Sequence, residues 1–173
     1  MRRFMSVLGG VLTLAVSGLV SGTGPPAAAA GGASTGTICY NAHVQDLGWL
    51  DWKCAGQMAG TQGQGLNLEA LNFMTTIPGG ICARVKLVGA RRWDSWECRN
   101  VNESFRVGTV GENQPLEQVE IKIRDIDATD ARLIGSAHVR NRGWLGDGNA
   151  WRRIYLGSEG WGLPMEAIRI FVV

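Results

Sequence analysis

From Val119 to Arg124 the chain alternates strictly: Val119, Ile121 and Ile123 are apolar, while Glu120, Lys122 and Arg124 are charged. Ile168, Ile170 and Val172 repeat the period, with Arg169 between the first two. A period of two built on β-branched residues predicts strands with one face in a core. Leu68 to Phe73 follows the same rule less cleanly, with Glu69, Leu71 and Phe73 on one side. Further upstream, Tyr40 to Leu47 places Ala42 and Val44 on the core side and His43 outward. Gly-rich tetrads precede the later strands and read as turns, because Gly reaches backbone angles that other residues avoid.

The strands and tetrads recur. Gly60-Thr61-Gln62-Gly63 leads to Leu68-Glu69, Gly108-Thr109-Val110-Gly111 to Leu116-Glu117, and Gly157-Ser158-Glu159-Gly160 to Met165-Glu166. The glutamates lie 48 and 49 residues apart, and six residues separate the second Gly from Glu in each copy. The openings recur too: Ala42-His43-Val44 and Gly48-Trp49 match Ala137-His138-Val139 and Gly143-Trp144. The second copy reads Ala83-Arg84-Val85-Lys86 there, and rejoins the first through Trp93, Trp96 and Cys98, which match Trp49, Trp52 and Cys54. In the third copy Trp151 stands near the place of Trp52, after an insertion containing Gly146 to Asn149. The copies span about 38–76, 81–125 and 132–173.

One such unit is too small to bury its apolar face alone, whereas three can close around a common axis. The expected fold is a single all-β domain with pseudo-threefold internal repeats. A β-prism-like arrangement is the first choice and a β-trefoil the alternative.

The first 30 residues stand apart. Arg2 and Arg3, an apolar stretch from Phe4 to about Val20, and the run Ala27–Ala30 have the three parts of a secretory signal peptide, with cleavage expected after Ala30. A short linker, residues 31–37, follows. The processed chain is expected to be secreted, without stable membrane insertion. It has lost Arg2 and Arg3, so 17 basic and 15 acidic residues become an even balance. That balance argues against a general nucleic-acid binder. All four cysteines fall in the exported part, and an even count there reads as two disulfides. Cys39 and Cys54 bracket the Trp-bearing segment of copy one as Cys82 and Cys98 bracket that of copy two, which favours pairing within copies.

The string of His-Val, Gly-Trp, Gly-Thr-x-Gly-Gln and apolar-Glu-Ala resembles the clostridial hydrophobic W-repeat (ChW) family. The resemblance is strongest from Ala42 to Trp49 and Gly60 to Phe73, good in copy three and weak in copy two. It implies an exported bacterial protein with several repeats and an interaction role at the cell surface.

The chemistry-bearing candidates are few. A tryptophan present in every copy suits either a core layer or a sugar-stacking face. The core reading is preferred for Trp49, Trp93 and Trp144, and the exposed, ligand-binding reading for Trp52, Trp96 and Trp151. Trp161 replaces Gln64 and Glu112 of the other copies, so the fold does not require it, and it is the first candidate for a ligand contact. Glu69, Glu117 and Glu166 are expected to be structural carboxylates held by backbone N–H groups of the preceding Gly-rich turn. His43 and His138 are expected to hydrogen-bond across the sheet. No His/Cys spacing points to a metal, no cofactor motif is present, and no nucleophile–base arrangement marks an enzyme. The expected function is a secreted non-catalytic module that binds cell-envelope or extracellular glycans. An extracellular protein-protein interaction or adhesion module is the alternative.

Overall fold

The computed structural model describes residues 35–146 and 149–173. The signal-peptide reading for residues 1–30, and Asp147 and Gly148 of the insertion, lie outside the described residues. The described residues form thirteen strands: β1 Ile38–Val44, β2 Gly48–Trp49, β3 Lys53–Cys54, β4 Ala59–Gly60, β5 Leu68–Thr75, β6 Ile81–Leu87, β7 Glu97–Arg99, β8 Phe105–Gly108, β9 Leu116–Ile123, β10 Leu133–Val139, β11 Gly143–Leu145, β12 Arg153–Gly157 and β13 Met165–Val172. They build three antiparallel sheets, and no helix occurs among the described residues. The all-β expectation holds.

The sheets share one wiring pattern. β1 pairs with β5 in the first, β6 with β9 in the middle and β10 with β13 in the third. Each long pair then receives a strand from another copy. β8 joins β5, β12 joins β9 and β4 joins β13. Copy two therefore completes the sheet of copy one, copy three that of copy two, and copy one that of copy three. The exchange closes into a ring, so each sheet depends on two copies.

The first Gly of each tetrad makes this exchange possible. Gly60, Gly108 and Gly157 adopt φ of 111°, 86° and 115°. A Cβ at these positions would lie 2.3, 2.4 and 2.2 Å from the carbonyl oxygens of Glu166, Glu69 and Glu117. Only Gly accepts both the left-handed angle and that approach. The next residue anchors the crossing: the N–H groups of Thr61, Thr109 and Ser158 donate to those same carbonyls at 2.9, 3.1 and 3.1 Å.

One continuous core joins the sheets. Ile38, Tyr40, Leu71 and Phe73 enter from the first, Ile81, Val85, Val119 and Ile121 from the middle, and Leu133, Val139, Ile168 and Ile170 from the third. The Tyr40 hydroxyl crosses between copies, donating to Gln57 O at 2.6 Å and accepting from Ile170 N–H at 2.8 Å. Burial pushes this phenol up to about 12, against the moderating effects of the Ile170 hydrogen bond and Arg169.

The disulfides form within copies, Cys39 to Cys54 and Cys82 to Cys98. Each joins directly opposed residues on neighbouring strands, β1 with β3 and β6 with β7. The third sheet has no cysteine there. It makes an isolated bridge instead, in which Leu133 and Trp151 exchange backbone hydrogen bonds of 2.6 and 2.9 Å.

Candidate functional site

The place of the repeated glutamates follows from the strand ladder. In each sheet the register slips once, between His43 and Val44, Lys86 and Leu87, and His138 and Val139. The residue left without an opposite number is Glu69, Glu117 or Glu166. A bulge frees the local backbone from the ladder and re-aims the side chain, and all three carboxylates end up buried.

Each has a side-chain partner from its own sheet. His138 Nδ1 lies 2.9 Å from Glu166 in hydrogen-bonding geometry, with Arg140 Nε 3.5 Å away. Lys86 Nζ stands 3.6 Å from Glu117. His43 Nδ1 is 3.0 Å from Glu69 but lacks the alignment of a hydrogen bond. The expected backbone donors also appear, from a different source. Gly63 N–H donates to Glu166 at 3.4 Å and Gly162 N–H to Glu117 at 2.9 Å. Those donors belong to the tetrad loops of copies one and three, not to the turn preceding each glutamate. The reading from sequence is corrected in that respect, because the incoming strand carries its own turn onto the neighbouring copy's bulge.

The tryptophans overturn the core expectation for Trp49, Trp93 and Trp144. No tryptophan belongs to the buried core, which is mainly aliphatic. Trp49 and Trp144 lie opposite His43 and His138 on short edge strands and meet those rings edge-on, at 5.2 and 5.5 Å between centroids. The outward histidine parity carries the indole outward with it. Trp93 packs against Arg84 and Tyr155 on the middle sheet.

Trp52, Trp151 and Trp161 are 43%, 52% and 54% exposed. Trp161 is the most exposed of the three. It lies beneath the guanidinium of Arg142, 5.0 Å from ring centre to Cζ. Gln64 and Glu112, its counterparts, are also exposed. Trp96 differs from the other proposed contacts: it is half-buried, and three cations surround its ring. Trp96 and Trp151 share Arg153 as a neighbour. Trp151 lines a cavity of about 310 Å³ with Gly135, Arg153 and Tyr155, where the third sheet meets the edge of the middle one. Trp144 lines one of about 380 Å³ with Ser136, Arg169 and Phe171.

Reasoning from sequence missed Arg84, Glu120, Lys122, Arg153 and Tyr155. On strand parity Glu120 belongs outside, yet it is fully buried, with Arg84 Nε at 2.7 Å and Arg153 Nη1 at 3.4 Å. The arginines that hold it also lie over Trp96. The available signal was a comparison of outward positions between copies. Among the described residues no three His, Cys, Asp or Glu side chains gather as metal ligands, and no helix is long and apolar enough to cross a membrane.

The sequence model described as Clostridial hydrophobic W matches residues 43–75. The chain carries a Clostridial hydrophobic W repeat. The matched segment runs from His43 through Trp49, Trp52, Cys54 and the first tetrad to Glu69 and the end of β5. It thus contains the buried carboxylate, its histidine and the outward indoles of one W repeat. No curated protein and no solved structure matches the chain.

Proposed function

We propose that this protein is a secreted, non-catalytic module that binds cell-envelope or extracellular glycans through outward-facing aromatic rings on its sheets. The observation that carries the reading is the placement of the tryptophans. Seven indoles in 173 residues, none of them in the core, is an unusual use of the most expensive apolar side chain to leave in water. An indole on a rigid strand or tight turn offers a flat apolar face with little ordering cost on binding. Arg142 beside Trp161, and Arg169 and Ser136 beside Trp144, supply the polar rim that sugar hydroxyls require. The two disulfides and the W repeat support a location in an oxidising, extracellular compartment.

Co-sedimentation with a panel of insoluble cell-wall polysaccharides tests the proposal. Retention on at least one polysaccharide, released by a soluble fragment of it, is the expected result. Retention on none, together with a stoichiometric complex with a surface protein, would replace the glycan reading with the protein-interaction one.

A further inference from the structure

The three sheets share a backbone plan but not an outer face. In the middle sheet Arg84 opposes Glu120, and Lys122 opposes Arg153. The places of Arg84 and Lys122 are held by Asn41 and Met74 in the first sheet and by Ser136 and Phe171 in the third. Arg153 stands where the other two incoming chains have Ser104 and Gly56. None of the three basic residues recurs, so the shared fold does not require them.

They converge on one ring. The Arg84 guanidinium, Lys122 ammonium and Arg153 guanidinium lie 4.6, 4.3 and 5.8 Å from the Trp96 centroid. Glu120 is the single carboxylate among them, buried and held by both arginines. Three cations against one carboxylate leave two positive charges unmatched, on a protein whose processed chain is formally neutral. Beyond Trp93 the turn adds exposed Arg91 and Arg92, against Asp94. Tyr155, 54% exposed, stands beside the cluster and lines the cavity that leads to Trp151.

We infer that the outer face of the middle sheet is a binding site for an acidic polysaccharide, with Arg84, Lys122 and Arg153 taking its anionic groups and Tyr155 stacking on a sugar ring. The inference rests on the glycan-binding reading and names its substrate class. Charge complementarity selects the occupant: cations already gathered over an indole and braced by a buried carboxylate need no reorganisation to meet a carboxylate or sulfate. Glu120 acts as a positioning residue, fixing both guanidinium groups.

The test titrates the purified protein with polygalacturonate, dextran sulfate, neutral dextran and double-stranded DNA, reading tryptophan fluorescence. One acidic polysaccharide should bind about ten-fold more tightly than dextran. Comparison of polygalacturonate with dextran sulfate distinguishes carboxylate from sulfate recognition. Raising the salt concentration should weaken acidic binding and leave dextran unaffected. The double variant Lys122→Met, Arg153→Ser, which installs residues found in the first sheet and keeps Arg84 on Glu120, should lose the preference. The salt titration needs only the wild-type protein, so it decides the matter even if that variant fails to fold. Equal binding of dextran and the acidic polymers would overturn the inference and leave the glycan reading standing. Binding of none would remove both. Equal binding of DNA would show nonspecific polyanion attraction and overturn the inference.

Discussion

Glu166 concentrates the design of the molecule in one side chain. It is left over by a strand bulge, held by His138 and Arg140 from its own copy, and capped by Gly63 N–H from another. Glu166→Ala should cost about 1–3 kcal/mol in chemical denaturation, because buried donors lose their acceptor. Stability equal to wild type would show that these donors are satisfied without it. The identity of the three glutamates was legible in the sequence, since their spacing from the tetrad is invariant. The origin of their backbone donors was not, because local pattern does not reveal which copy a turn will meet. Tyr40 gives a second prediction. Its folded value, raised to about 12 by burial, exceeds the ordinary 10.0. The folded state thus holds the proton more tightly than the unfolded chain does. The stabilisation is complete below pH 10 and declines as pH rises toward 12, by on the order of 2–3 kcal/mol. The fall in urea midpoint from pH 9 to pH 11 should be smaller in Tyr40→Phe than in wild type; equal falls would contradict the assignment.

Among the elements, β4 is only two residues long, yet it closes the ring by joining copy one to the sheet of copy three. Gly60→Ala should therefore destabilise the whole domain by at least about 1 kcal/mol, through both its positive φ and the clash with Glu166 O. Gly63→Ala makes the contrast: its positive φ is similar in sign, but nothing lies within 4 Å of a Cβ there. Thermal melts should show the larger loss at Gly60. Equal losses would mean that backbone angle alone decides. The disulfides act on longer segments. Replacing Cys82 and Cys98 together by Ala should cost about 3 kcal/mol, since the pair closes a loop with a sequence separation of 16. Differential calorimetry checks it, and an unchanged melting temperature would show that the β6–β7 ladder suffices. Strand period and cysteine placement were both readable along the chain. The burial of Glu120 was not, because one of its two arginine partners, Arg153, comes from a different copy.

Viewed as a whole molecule, three sheets of common wiring surround an aliphatic core, and aromatic and basic residues decorate the outside. The all-β class could be read from sequence because it is written as a local period. The outward turn of Trp49, Trp93 and Trp144 could not, since a residue recurring in every copy satisfies a core layer as well as a surface one. Only the pairing of Trp49 and Trp144 with outward histidines decides it. The outer face is where the copies diverge: the middle sheet gathers cations, the third carries Trp144 with Arg169, and the tetrad loop of copy three alone carries Trp161. On the proposed function, these exposed indoles bind a glycan instead of supporting the fold. The proposal is tested most directly by comparing wild type with Trp52→Ala and Trp161→Ala, measuring melting temperature and affinity for the polysaccharide that sediments the protein. Nearly unchanged melting temperatures and an affinity loss of about 1–3 kcal/mol for at least one variant are expected, as removal of a stacking anchor produces. Melting temperatures lowered by several degrees with affinity intact would contradict the proposal.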